Sequence, residues 1–479
     1  MTTPRRSHLP HLATVLERWQ GSTTEHGTST SGRHYGRSTA YRSEGLIVLA
    51  ADADARERVR SAIDEVLAVD HWTAEHQPSE HRSSFSRLVP GEASIVPVDP
   101  WTVVDRLRSH PDPQVAAGVA LDHLMTTAEQ LGGNPFAIGH GRPGLDHYGD
   151  SGYAGRGPVN FVIPAPVPGP AGRRPRVVVL DTGIGDHPWF RERPVQTTIT
   201  LGDGSTVGPE IDPQSIRGID ADGSGAVANT LLGTLASHSG HGTFIAGLLR
   251  QACPEADIVA LAVMGADGIV AESTLTDALR TIARRQVEQP GWADALVLSL
   301  GYYTETDADL VYNTGLRQIL LELGRLGVAV FCAAGNDAST RPSYPAAFAV
   351  DPAFAAPDVM PLVSVAALNP DGTIAQFSND GPWVIAEAPG VNMVSAAPIG
   401  TDGSERAGTR TAGPLGRVRG GIDPDGFESG FASWSGTSFA APVLAGEYLR
   451  RLAEAGFPAI EERRALVPVG RSRVDHAVR

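Results

Sequence analysis

The chain has 479 residues, 41% of them apolar and 19% charged, with a formal net charge of −15. That length exceeds one ordinary domain and suggests two, one of them large, while the apolar share supports a sizeable core and excludes global disorder. The acidic balance argues against a nucleic-acid binder, no run of about 18 apolar residues is present to span a membrane, and two cysteines, Cys253 and Cys332, do not make a secreted disulfide scaffold.

Residues 1–42 are rich in Ser, Thr, Arg, Gly and His and read as a flexible arm, with one short helix expected near Leu12–Trp19. The opening carries charge but no apolar stretch of signal-peptide length, so the expected location is cytoplasmic. Residues 43–132 read as a small α+β domain. Leu46–Leu49 is an expected strand, and Asp54–Leu67 an expected helix with Val59, Ile63, Val66 and Leu67 on one stripe. Ser94–Val98 reads as a further strand. Pro100 is expected to start a helix through Leu107, and Pro113 a longer one through Leu131. Residues 133–173 are rich in Gly and Pro and read as a linker or extended strap.

From 174 to about 460, apolar strands alternate with helical patterns, and 461–479 reads as a tail. The expected strands are Arg176–Leu180, Ile258–Val263, Ala295–Leu298, Val328–Ala333 and Leu362–Ala366. Between them, Leu275, Leu279, Ile282 and Val287 form one helical stripe, with Ser273 as its expected N-cap, and Leu316, Ile319, Leu320 and Leu323 form another. Strands apolar throughout and alternating with helices mean an α/β fold with a parallel, doubly wound sheet.

The chemistry concentrates in three glycine-bearing segments. Asp181-Thr182-Gly183-Ile184 ends the apolar run Val177–Leu180, Gly240-His241-Gly242-Thr243 opens the helical run Phe244–Leu249, and Gly436-Thr437-Ser438 opens the apolar run Phe439–Leu449. An acid, an imidazole and a hydroxyl are the parts of a nucleophilic hydrolase. A carboxylate at the end of a buried strand can hold one imidazole nitrogen and stabilise the imidazolium. A histidine at a helix start is held neutral by the dipole, as a general base requires. A serine in a helix's first turn lies beside a backbone N–H that can serve an oxyanion, and Asn336, after Cys332-Ala333-Ala334-Gly335, offers an amide donor. Taken singly, each has a plainer reading: Asp181 and Asn336 as turn residues, Ser438 as an N-cap. The order along the chain is Asp, His, Ser, which is that of subtilisin and neither that of chymotrypsin nor that of the α/β-hydrolases. His238 has no acidic partner at metal-protease spacing, Asp220–Gly225 lacks the closing Glu of an EF-hand loop, and neither cysteine sits in a Cys–His signature.

Over about 174–455 these residues resemble the subtilisin family of serine peptidases. Asp181-Thr182-Gly183-Ile184 with His187-Pro188 is similar to the family's Asp motif, His241–Gly247 to its His motif and Gly436–Pro442 to its Ser motif. Ala333-Ala334-Gly335-Asn336 resembles the oxyanion segment, Ser299-Leu300-Gly301 the strand that pairs with substrate backbone, and Ser343-Tyr344 the base of the primary specificity pocket; Phe377-Ser378-Asn379 and Ala388-Pro389-Gly390 also fit. The resemblance implies a doubly wound, mostly parallel sheet with helices on both faces and an endopeptidase acting on polypeptides. Ser438 would attack the scissile carbonyl, His241 would serve as base and then acid, Asp181 would orient His241, and Asn336 with the Ser438 amide would bind the oxyanion. No cofactor is expected, with structural calcium left open. Residues 43–132 stand where many members carry a propeptide; a permanent domain that binds the peptidase domain or recruits a substrate is the other reading. The alternative to an enzyme is a non-cutting binding or scaffold protein on the same fold, although none of the catalytic residues is missing. The separation of sixty positions from Asp181 to His241 implies an added loop within 190–236, and a second insertion covers 400–428. Tyr302 stands where a small residue is common and is expected to crowd one subsite, and Asp337 is expected to favour a basic residue before the cut.

Overall fold

The computed structural model describes residues 21–23, 39–77, 83–95, 97–126, 156–160, 164–169, 172–207, 227–229, 234–304, 314–402, 410–421, 423 and 426–469. The chain divides into two units: residues 1–125 with 271–276 and 302–318, and residues 126–270 with 277–301 and 319–479. The expected helix at Leu12–Trp19 and the Asp220–Gly225 turn lie outside the described residues.

In the first unit, strands β1 (Gly21–Thr23), β2 (Ala40–Leu49), β3 (Trp72–His76), β4 (Ser83–Pro90) and β5 (Val119–Thr126) are joined by helices α1 (Ala53–Ala68) and α2 (Pro100–Arg108). The strand order is β5–β2–β4–β3, antiparallel at every step, and β1 pairs with β2. This is a β-α-β-β-α-β arrangement. The Asp52 carboxylate caps α1 by accepting the Ala55 N–H at 2.8 Å. Its apolar stripe of Val59, Ala62, Ile63 and Leu67 is buried in one cluster with Leu46, Val48, Val103, Val104 and Leu121.

Three expectations fail here. The helix from Pro113 stops at Ala116, and Val119–Thr126 is a strand. That run is buried at every position, so its periodicity cannot separate helix from strand, and pairing with β2 decides. Ser94 and Ile95 form no strand, and Ile95 is 92% exposed. Within the arm, Gly21–Thr23 is ordered as a strand.

In the second unit, β6 (Arg176–Asp181), β7 (Asp257–Ala262), β8 (Ala295–Leu298), β9 (Ala329–Ala333), β10 (Leu362–Leu368) and β11 (Ala386–Pro389) form one sheet in the order β7–β6–β8–β9–β10–β11, parallel throughout. The chain leaves β6 toward β7 on one side, and β8 continues on the other. The order therefore reverses between β6 and β8, and their carboxyl ends flank the crevice where open parallel sheets bind ligands. Helices cover both faces, as burial of successive strand residues requires. On one face lie α3 (His241–Ala252) and, after the short strand β12 (Phe431–Trp434), α4 (Thr437–Glu454). The stretch read as a tail includes a helix, Ile460–Leu466, docked through Arg463 onto Asp294 at 3.0 Å. Ser273 does not N-cap its helix. Both its N–H and its hydroxyl donate to the Asp122 carboxylate, at 3.0 and 2.9 Å.

Ile63 is fully buried in the first unit's core. Ile63→Ala should lower stability by about 2–5 kcal/mol, seen as a lower urea midpoint at unchanged slope. The exposed Glu57→Ala should leave the midpoint in place.

Candidate active site

Asp181 is the last residue of β6, and His241 is the first of α3. They meet because two backbones touch: a Cβ on Gly242 would lie 2.2 Å from the Gly183 carbonyl oxygen. Two hydrogen bonds hold that approach. The Gly242 N–H donates to Thr182 Oγ1 at 2.9 Å, and the Gly185 N–H donates to Thr243 Oγ1 at 2.8 Å. The result is a 2.7 Å hydrogen bond between His241 Nδ1 and Asp181 Oδ1, which also accepts the Thr182 N–H at 2.8 Å. A bond from Nδ1–H to a carboxylate fixes the tautomer and leaves Nε2 as the basic nitrogen.

Ser438 lies in the first turn of α4, one residue before a ring that packs on the same imidazole. Phe439, the next residue, has its ring centroid 5.3 Å from that of His241, and Trp434 of β12 meets His241 edge to face at 5.4 Å. The Ser438 hydroxyl is buried and makes no hydrogen bond among the described residues, whereas its carbonyl accepts the Ser299 hydroxyl at 2.8 Å. Gly436, the cap of α4, has no side chain to offer, and Asn336 supplies the acceptor instead. Its Oδ1 takes the Thr437 N–H and the Thr437 hydroxyl, each at 2.9 Å. An oxygen that accepts a backbone N–H fixes the orientation of the amide, so Nδ2 is the donor end. Thr437 Oγ1 in turn accepts the Gly335 N–H at 3.0 Å.

The other expected residues gather around these. Gly301, at the end of the Ser299-Leu300-Gly301 run, exchanges two antiparallel hydrogen bonds with Thr126, at 2.7 and 3.0 Å. Ser343 Oγ lies 2.7 Å from where a Gly301 Cβ would stand, and the Tyr344 ring packs tilted against Phe348 at 4.8 Å. Ala333 ends β9, and the Ala334 carbonyl accepts Asn379 Nδ2 at 2.8 Å. Asn379 Oδ1 also takes the N–H groups of Asp337 and Ser339, which makes it a clamp on the Asn336 loop. Asp181, His241, Asn336 and Ser438 are each at most 1% exposed.

Some residues carry weight that the sequence did not assign. Thr182, Thr243 and Thr437 stand inside the recognised motifs, but their roles as backbone acceptors follow only from the fold. Thr126 and Arg156 carried no signal, since both lie beside Gly/Pro-rich sequence with no motif of its own. Tyr302 is buried with its ring stacked on His123 at 4.4 Å. Burial pushes both thiols up, Cys253 to about 12, which makes neither a nucleophile. Among the described residues no three His, Cys, Asp or Glu side chains gather as a metal set, and no helix is long and apolar enough to cross a membrane.

Residues 172–455 match the model of the Subtilase family, more than half of the chain. The chain therefore belongs to the subtilase family of serine-type peptidases. It is 28% identical to subtilisin BL of Lederbergia lenta over 280 residues, covering 57% of this chain and 73% of that protein. It is 24% identical to an intracellular serine protease of Paenibacillus polymyxa over 303 residues, 60% of this chain and 69% of the relative. A shorter match of 86 residues, 38% identical, links it to halolysin of Haloferax mediterranei and covers 18% of this chain and 14% of that protein.

His187, in the Asp motif, supplies a pH test. It is buried among Trp189, Phe190 and Phe431, and its Nδ1 accepts the Trp189 N–H at 3.2 Å. Burial lowers its pKa from 6.5 to about 4. The unfolded chain therefore takes up the proton first as pH falls. The neutral imidazole's contribution is intact above pH 6.5 and is lost between 6.5 and 4, up to about 3 kcal/mol. Urea midpoints of the wild type should fall across that window, and those of His187→Gln should fall less.

Proposed function

We propose that this chain is a serine endopeptidase that hydrolyses peptide bonds through an acyl-enzyme on Ser438. The observation that carries the reading is the 2.7 Å bond from His241 to Asp181, with the start of α4 against the same imidazole. Ser438 Oγ attacks the scissile carbonyl carbon, and its proton passes to His241 Nε2. The carbonyl oxygen, now an anion, takes hydrogen bonds from Asn336 Nδ2 and the Ser438 N–H. His241 then gives its proton to the leaving amine, the C–N bond breaks, and an ester remains on Ser438. Water repeats the sequence and releases the acid. Asp181 stabilises the imidazolium in both halves.

We propose further that this arrangement is a closed precursor. A segment that pairs antiparallel with Gly301 occupies the position a substrate strand would take, and Thr126 makes that pairing. A cut between Thr126 and Arg156 would open the site, with 43–132 acting as a propeptide or as a domain that stays and recruits substrate. No step of this chemistry passes through a metal. Turnover should persist in a chelator, and any structural calcium would register only as a lower melting temperature. The intracellular location expected from the sequence stays part of this proposal, supported by the Paenibacillus relative; the Bacillus subtilis relative is named a minor extracellular protease. Fractionation of cells bearing the full-length chain decides it.

The main test is intact mass of the wild type beside Ser438→Ala, with and without a fluorophosphonate. The wild type should take the label and lose mass consistent with a cut in 127–155, and the variant should do neither. Absence of both label and cut in the wild type would favour the non-cutting scaffold. In an active preparation, Asn336→Ala should lower kcat about 100- to 1,000-fold, a magnitude known from subtilisin and not from this chain.

A further inference from the structure

One charged side chain outside the residues assigned above reaches both walls that flank His241. Arg156 begins a short stretch in which Gly157 and Pro158 pair antiparallel with Ser433 and Ala432 of β12. Its Nη1 donates to the Ser239 carbonyl at 2.7 Å and the Ser237 carbonyl at 3.3 Å, and its Nη2 donates to the Ala236 carbonyl at 3.2 Å. The same guanidinium lies 5.0 Å from the centroid of Trp434 and 5.5 Å from that of Phe427. Residues 236–239 run directly into His241, whose N–H donates to the His238 carbonyl at 3.0 Å. Trp434 is the ring that meets His241 edge to face. The space left beside these groups is about 10 Å³, room for one water at most.

This is a guanidinium seat: three carbonyl acceptors on one side and two aromatic faces on the other. A planar fork with several fixed donors satisfies such a set, whereas an ammonium is a point charge that cannot span it. Cation–π attraction adds to the hold where the ring is buried, and Trp434 is 2% exposed. The seat fastens the turn that delivers His241 to the strand that carries Trp434, so a shift of either wall would move the imidazole.

We propose that Arg156 is a positioning residue for His241, and that the stretch following any linker cut is therefore part of the active machinery. The structural half of this stands on geometry alone; the kinetic half rests on the triad reading above. Two consequences separate it from a merely structural role. The fork holds the imidazole in one orientation, and the cation resists formation of a second cation nearby. Among the described residues, the groups placed against His241 are the Asp181 carboxylate at Nδ1, the His238 ring at 5.4 Å on the turn and the uncharged rings of Trp434 and Phe439, with Arg156 beyond Trp434. Removing Arg156 takes a fixed positive charge out of that set.

The test uses the full chain in a Ser438→Ala background, which prevents self-cutting, and follows the His241 ring protons by NMR against pH. Arg156→Ala should raise the His241 titration midpoint by several tenths of a pH unit and broaden its signals. Arg156→Lys should keep the midpoint, because the charge remains, but should still broaden the signals, because the fork is gone. Arg156→Gln, which keeps a donor without the charge, replaces the alanine variant if that one loosens the fold. In the active enzyme, Arg156→Ala should lower kcat at least tenfold, leave KM within about twofold and move the acid limb of the rate profile upward. An unchanged midpoint and line width at His241 in both charge-removing variants would overturn the proposal, whether or not the chain cuts peptides. A wild type that takes no fluorophosphonate label, with the midpoint shift present, would overturn the triad reading and leave the positioning role standing.

Discussion

The touching backbones of Gly183 and Gly242 set the geometry on which the rest of the second unit's active face depends. Asp181 and His241 are sixty residues apart, yet their side chains approach to 2.7 Å. Short side chains reach that far only if the first turn of α3 lies directly on the turn after β6. Any Cβ at position 242 would meet the Gly183 oxygen at 2.2 Å, closer than real contacts allow, so a side chain there would lift the helix away. Gly183 and Gly240 both have positive φ, +98° and +83°, which lets the two segments turn sharply enough to present bare backbone. The threonine hydroxyls then pair the N–H groups that such burial would otherwise strand.

The third component is positioned by a different device. A helix start leaves N–H groups without acceptors, and Gly436 cannot cap α4. Asn336, from the end of β9 two strands away from β6, takes the Thr437 N–H, and Ser299, beyond β8, holds the Ser438 carbonyl. The nucleophile's helix is thus pinned by residues on the carboxyl ends of neighbouring strands. On the proposed chemistry, the first-turn N–H groups that Asn336 does not use, that of Ser438 among them, would serve the oxyanion. The same amide caps the helix with its oxygen and, on the proposed chemistry, would meet the oxyanion with its nitrogen, which would couple the stability of the helix start to catalysis.

What could be read from the sequence follows from where each signal was local. Motifs at strand ends and helix starts were legible because glycines, a buried apolar run and one functional side chain stand within a few residues. The five expected strands of the parallel sheet match β6 to β10 within one or two residues, since burial on both faces gives an unbroken apolar run. The strand Val119–Thr126 was read as helix because that same signature is ambiguous without its partner. Strands β3 and β4 were missed, as β3 is short and buries no residue fully, and two inward positions of β4 are the polar Ser84 and Ser86. β11, Ala386–Pro389, holds only two buried residues and a terminal proline. Nothing in the sequence groups 271–276 and 302–318 with the first unit, because that grouping is made by contacts far apart in the chain. Arg156 was invisible for the same reason: its acceptors are backbone carbonyls, which every residue has.

Two anchors of unlike strength bracket the stretch 127–155. Thr126 is held to Gly301 by two backbone hydrogen bonds, the kind that any extended peptide makes and exchanges. Arg156 is held by three charge-assisted bonds and two rings, with strand pairing at the next two residues. On the proposal that the chain is cut between them, Thr126 would keep only contacts of the kind a substrate strand also makes, and substrate would compete with it. The Arg156 end keeps its seat without help from the linker. On the same proposal, the site would open where peptide binds and stay fixed on the side of His241.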